Sequence, residues 1–211
     1  MASTTVSRSF CKSDSKLLLG SEMVVPYSIV VEEQKGAKVY LSSCPNFVTT
    51  DTEYVAFNQI NEANKKANNM SWFNFCRQFY GAQSHVLDLM LILDYIVLNE
   101  DRHFGNFGMI RDTNTGAFIG PAPTFDTGSS LFFDTEVVNK RNVSSKPFSV
   151  DFDKQIKLVE VGVYQDQIKQ VKGLYKDVFW ESFEKSPEPQ GRKEKLVNAV
   201  GKQIDALLTI G

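Results

Sequence analysis

The stretch Asn99-Glu100-Asp101-Arg102-His103-Phe104-Gly105-Asn106-Phe107-Gly108, followed by Pro123-Thr124-Phe125-Asp126-Thr127-Gly128-Ser129-Ser130-Leu131, decides the reading of this chain. Asp101 and Asn106 lie five residues apart behind a strongly apolar segment, and Asp126 follows twenty residues later in its own short turn. A carboxylate can orient or deprotonate a hydroxyl, while an amide oxygen and a second carboxylate can hold the Mg²⁺ that bridges nucleotide phosphates. Magnesium takes hard oxygen ligands and keeps several waters, so one Asn and one Asp suffice. Either motif alone is an ordinary loop feature, because Asp and Asn bond their own backbone and Thr127-Gly128 invites a turn. Both together, in this order behind a buried helix, favour phosphotransfer.

Eukaryotic protein kinases write the catalytic loop as His-Arg-Asp with an Asn five residues after the Asp, and the metal carboxylate as Asp-Phe-Gly. Here the spacing is kept, but the order is Asp101-Arg102-His103 and the second carboxylate lies in Phe125-Asp126-Thr127-Gly128-Ser129-Ser130. This pattern resembles the HipA-like kinases, bacterial serine/threonine kinases that include the kinases of toxin–antitoxin pairs. Phosphoinositide kinases share an Asp-Arg-His-x-x-Asn loop, but Ala122-Pro123-x-Phe125-Asp126-x-Gly128-Ser129-Ser130-Leu131 is closer to the HipA-like form. The resemblance implies a protein-kinase-like fold and transfer of phosphate from Mg²⁺·ATP to a protein hydroxyl. It implies Asp101 as the catalytic residue, Asn106 and Asp126 as Mg²⁺ ligands that also meet the nucleotide, and His103 near the nucleotide. A Ser-x-Cys-x-x-Phe segment near the family's interlobe hinge carries Ser43 and Cys44 over as adenine-side candidates.

The composition agrees with a globular protein. The chain has 211 residues, 42% of them hydrophobic, and a formal net charge of -2, which supplies no electrostatic motive for nucleic-acid or membrane binding. No apolar run approaches the roughly 20 residues of a spanning helix, and the N-terminus lacks the apolar core of a secretory signal. A cytoplasmic location is therefore expected. Cys11, Cys44 and Cys76 are odd in number and widely spaced, which points to reduced thiols rather than a disulfide framework or a zinc knuckle. With His85 and His103 the only histidines, a His-based metal site or a serine-protease triad has little to draw on.

Along the chain, residues 1–12 read as frayed and 13–19 as a short helix stopped by Gly20. Residues 24–31 and 38–43 read as strands of a hairpin turning at Lys35-Gly36. From Thr52 onward Tyr54, Val55, Phe57 and Ile60 mark a helical face. Trp72, Phe73, Phe75, Cys76 and Phe79 mark a further helix ending near Gly81. Residues 82–98 are apolar almost all round, so they form the central buried helix, on which Asp88 and Asp94 must find partners. Asp94, two turns before Asp101, is placed to brace the loop through Arg102. Residues 107–111 and 117–119 form a small hairpin delivering the chain from Asn106 toward Asp126. Residues 134–150 are an irregular surface segment where a kinase's activation segment would lie, and 155–161, 164–185 and 192–208 read as helices.

The expected class is thus α+β, mainly α: a protein-kinase-like C-terminal lobe with a short N-terminal β-hairpin and a small hairpin at the catalytic loop. Residues 1–47 are expected to be a remnant of the nucleotide lobe and hinge, and 48–211 the helical lobe. The sequence contains no Gly-x-Gly-x-x-Gly and no Walker A motif, and Lys12 and Lys16 lack the strand-and-helix context of an ATP-positioning lysine. Three readings stay open: a truncated kinase, a kinase whose nucleotide lobe or regulator is a separate polypeptide, and a non-catalytic kinase-derived interaction module. A phosphoinositide-kinase relative is the remaining alternative.

Overall fold

A computed structural model describes residues 18, 20, 23–140, 143–184 and 188–210. The segment 1–12, the short helix at 13–19 apart from Leu18, Lys12, Lys16, Cys11, Asn142 and Ser186-Pro187 lie outside the described residues. The core is organised by the helix His85–Val97, in which every residue after His85 is buried. A helix without a polar face must be surrounded, and here it is. Phe73, Phe75 and Cys76 of Trp72–Tyr80 join its core cluster, as do Ile168, Val171 and Phe179 of Gln165–Glu184. Leu196, Val200, Ile204 and Leu207 of Gln190–Ile210 complete the surround. Each such side chain taken from water contributes about 1.5–3 kcal/mol. In chain order the helices are α1 (Phe57–Ala63), α2 (Trp72–Tyr80), α3 (His85–Val97), α4 (Phe152–Ile156), α5 (Gln165–Glu184) and α6 (Gln190–Ile210).

The two carboxylates on α3 are both paired. Asp88 accepts from Arg77 Nη1 (3.2 Å) and from the Tyr164 hydroxyl (3.0 Å). Burial pushes its carboxyl upward against the opposing pull of the Tyr164 hydrogen bond and Arg77. Asp94 takes Arg102, as described below.

The strands are β1 (Ser28–Gln34), β2 (Ala37–Ser43), β3 (Thr52–Ala56), β4 (Gly108–Asp112) and β5 (Phe118–Pro121). β1 and β2 form an antiparallel hairpin with Gln34 opposite Ala37. Lys35 and Gly36 turn it with φ of 53° and 77°, the paired left-handed conformation that suits a two-residue hairpin. The first strand begins four residues later than its β-branched run suggests. A two-residue turn fixes how far each strand extends, and Val24 and Val25 are buried before Pro26, with Val24 bridged in parallel to Thr124.

β3, β4 and β5 form an antiparallel sheet in that order. The helical face expected from Thr52 is corrected here: Thr52–Ala56 is a strand, pairing Tyr54 with Ile110 and Ala56 with Gly108, and the helix starts at Phe57. Its partner lies some fifty residues away, so local periodicity could not reveal it. The helix expected at 155–161 is also displaced, because the Asp151 carboxylate accepts from Lys154 N (3.0 Å) and caps a helix beginning at Phe152. A short 3-10 turn, Val161–Tyr164, leads into α5.

Gly108 is required where β4 meets β3: a Cβ there would collide with the backbone carbonyl of Val55. Gly108→Ala should destabilise the chain by about 1–3 kcal/mol, read as a lower urea midpoint with an unchanged m-value. An unaltered midpoint would show that the two strands can separate freely.

Candidate active site

α3 ends at Leu98, a left-handed residue (φ 52°) whose backbone N–H still bonds back to Asp94 O. That cap throws the chain out of the helix into the loop bearing Asp101 and Asn106. Arg102 turns back into the protein and is completely buried. Its Nε and Nη2 donate to the two oxygens of Asp94 at 2.9 and 3.0 Å, a bidentate pair in which neither side chain touches solvent. Its Nη1 donates to the backbone carbonyls of Asn106 (3.0 Å) and Phe125 (2.7 Å). Asn99, also fully buried, donates to Asp94 Oδ1 (2.9 Å) and accepts from Asp101 N (3.3 Å). One guanidinium therefore ties the central helix, the Asp101–Asn106 loop and the residue before Asp126 into a single unit. The brace expected between Asp94 and Arg102 is present, and it reaches further than the spacing implied.

Asn106 and Phe125, the residue before Asp126, are joined to this knot through their backbone carbonyls. The Asn106 side-chain nitrogen donates to Asp101 O (3.0 Å), an acceptor that fixes which end of the amide faces it and leaves Oδ1 as the end suited to a cation. Asp126 adopts φ 53°, a left-handed conformation that costs a non-glycine residue about 1–2 kcal/mol and that Asp tolerates better than most. Its backbone N–H donates to the Tyr27 hydroxyl (3.2 Å). Val25 N and Thr124 N pair with Thr124 O and Met23 O, so the chain before β1 runs beside the Asp126 loop. Beyond Asp126, Glu100 N bonds to Ser129 O and Leu131 N to Val97 O, closing the two loops against each other. Phe47, Tyr54 and Phe125 pack with ring centroids 5.3 to 5.9 Å apart. Tyr54 also donates to Gly105 O (2.9 Å), and burial raises its phenol well above the ordinary range.

His103 is exposed, with Nδ1 accepting from Gly105 N (3.0 Å), so a neutral ring carries its proton on Nε2. A Cβ on Gly105 would meet that ring at 2.9 Å, a contact the exposed imidazole could relieve by turning away. Ser43 and Cys44 lie exposed at the end of β2, outside the hydrogen-bonded knot; their segment reaches it through Phe47 against Phe125. The two described thiols differ sharply. Cys44 is exposed and Cys76 wholly buried, where burial pushes its thiol up to about 12. Iodoacetamide at pH 8 should alkylate Cys44 within minutes and leave Cys76 untouched until the chain is unfolded, as mapped by peptide mass spectrometry. Rapid native labelling of Cys76 would contradict the packing of α2 on α3.

Among the described residues no cluster of three or more His, Cys, Asp or Glu side chains able to hold a metal ion forms. The candidate donors are instead the Asn106 amide oxygen and the Asp126 carboxylate, hard oxygen groups of the kind that would suit a magnesium ion retaining its waters. Sequence reading missed Lys146. Its ammonium lies 2.8 Å from Asp101 Oδ1 although it is 45 residues further along the chain. No local signal marks it.

No helix among the described residues is long and apolar enough to cross a membrane. No protein-family model matches this chain, and no curated protein matches its sequence. The crystal structure of a Helicobacter pylori proinflammatory kinase, CtkA, superposes with a TM-score of 0.60 at 15% identity, covering 97% of this chain and 86% of that one. At that identity the likeness is one of fold, and the chain has a kinase-like fold.

Proposed function

We propose that this chain is a HipA-like serine/threonine kinase lobe that transfers phosphate from Mg²⁺·ATP to a protein hydroxyl. The observation that carries the reading is the Arg102 guanidinium, which holds the carbonyls of Asn106 and Phe125 from one nitrogen. Asn106 and the residue before Asp126 thereby share one donor, which supports a common site with Asp101. In this reading Asp101 orients the acceptor hydroxyl and takes its proton. Asn106 Oδ1 and the Asp126 carboxylate hold the cation, which when bound neutralises charge on the nucleotide phosphates. His103, on the open side of the loop, faces the nucleotide, and Ser43 and Cys44 border the adenine side. Residues 1–47 act as a hinge and nucleotide-lobe remnant, and 48–211 as the helical lobe, working in the cytoplasm.

The test is a calorimetric titration of the intact chain with ATP, with and without Mg²⁺. Binding that requires Mg²⁺ is expected. No heat at millimolar Mg²⁺·ATP would sink the assignment.

A second reading, a non-catalytic module seated on a partner protein such as a regulator or separate nucleotide lobe, is favoured by the β1–β2 hairpin. Val30, Val31 and Leu41 are exposed on this two-stranded ribbon, an arrangement that is marginal without cover. Chains that bind no nucleotide yet co-purify stoichiometrically with one defined protein would establish it.

A further inference from the structure

Phosphoryl transfer is governed by positioning and by charge placed around the transferring group, so a site of this kind needs a cation besides the metal. The obvious candidate beside the catalytic loop is spent. All of Arg102's nitrogens donate to Asp94, Asn106 O or Phe125 O, and the side chain has no exposure. His103 uses Nδ1 on Gly105 N. Lys146 is the cation that the structure brings onto Asp101, and both partners remain half-exposed, at 49% and 43%.

Its place is built rather than incidental. Gln155, 2% exposed on α4, donates from Nε2 to Lys146 O (2.8 Å) and accepts on Oε1 from Phe148 N (3.0 Å) and Ser149 N (3.2 Å). Ser145, fully buried, donates from Oγ to Ser149 O (2.8 Å) and from its backbone N to Val150 O (3.2 Å). The Phe148 ring packs against Phe73, Phe104 and Phe107 at 5.4 to 6.2 Å. Glu100, from the catalytic loop itself, accepts from Ser144 N (3.3 Å). The turn carrying Lys146 is thus pinned from below and on both sides, while its ammonium stays in solvent on the face of Asp101.

We propose that Lys146 is a catalytic residue of the phosphotransfer site assigned above, contacting the transferring γ-phosphoryl group and Asp101 together. The inference rests on that assignment. With Lys146 on Oδ1, Asp101 Oδ2 is the oxygen that meets the acceptor. The acceptor oxygen forms a bond to the γ-phosphorus as the bond from that phosphorus to the β–γ bridging oxygen breaks, its electron pair leaving with ADP. The acceptor's proton passes to Asp101, and the ammonium balances negative charge on the γ-oxygens throughout.

The test uses the intact chain with Mg²⁺·ATP, water serving as the acceptor, in wild type, Lys146→Met and Lys146→Arg. Expected is a fall in kcat of at least tenfold for Lys146→Met with KM for ATP within twofold, partial recovery in Lys146→Arg, and unchanged thermal unfolding in both. In parallel, an acyl-phosphate derivative of ATP should acylate Lys146, with protection by Mg²⁺·ATP. Should the wild type bind nucleotide without measurable turnover, that labelling decides: a protected adduct on Lys146 supports the contact and its absence overturns it. Turnover in Lys146→Met equal to wild type overturns the role of Lys146 and leaves the kinase assignment standing. Failure of the wild type to bind Mg²⁺·ATP overturns both.

Discussion

Arg102→Met should destabilise the chain by about 3–5 kcal/mol, because it leaves the fully buried Asp94 carboxylate without its charged partner, only the Asn99 amide still donating to Oδ1, and takes the Nη1 donor from two backbone carbonyls. Against a total stability of about 5–15 kcal/mol for a domain, that is a loss of a fifth or more. Two bonds to Asp94 and two to the carbonyls of Asn106 and Phe125 disappear together. Arg102→Lys keeps the charge but cannot present a planar fork to Asp94 and two carbonyls at once, so it should recover part of the loss and no more. Urea unfolding followed by circular dichroism measures both. A methionine variant within about 0.5 kcal/mol of wild type, the range of an ordinary surface change, would mean the loops are held together by something else.

Asn106→Ala and Asp126→Asn should each weaken Mg²⁺-dependent ATP binding at least tenfold, about 1.4 kcal/mol, with little loss of fold. Asparagine is the better replacement at position 126. It tolerates the left-handed φ of 53° found there and removes the charge without adding backbone strain. At position 106 alanine loses the hydrogen bond to Asp101 O, worth about 0.5–1.5 kcal/mol, so a modest drop in stability accompanies the binding defect. The discriminating control is ATP in EDTA, where any residual affinity should be the same in wild type and variants. Identical dissociation constants in Mg²⁺ for all three proteins would remove both residues from the metal site and leave Asp101 without a role.

These two results bear on different links of the same chain of causes. The first tests whether a buried ion pair assembles the loops; the second tests whether the assembled loops do chemistry. A folded Arg102→Met variant with lost ATP binding would show that the knot serves alignment more than stability.

Residue order alone revealed the local features. The predominantly apolar run of α3, the paired fates of Asp88 and Asp94, the end of α2 at Gly81 and the turn at Lys35-Gly36 follow from side-chain chemistry over a few residues. The spacing of Asp101, Asn106 and Asp126 was legible in the same way. Contacts between residues far apart along the chain emerged only on folding. Thr52–Ala56 is a strand because Gly108–Asp112 lies beside it, Tyr27 meets Asp126 across 99 positions, and Lys146 reaches Asp101 across 45. Periodicity reports which face of a segment is apolar, but strand partners and charged contacts are chosen by packing that brings distant segments together. The buried guanidinium of Arg102 stands between the two, since its neighbour Asp94 could be read from helical spacing and its hold on Phe125 required the folded chain.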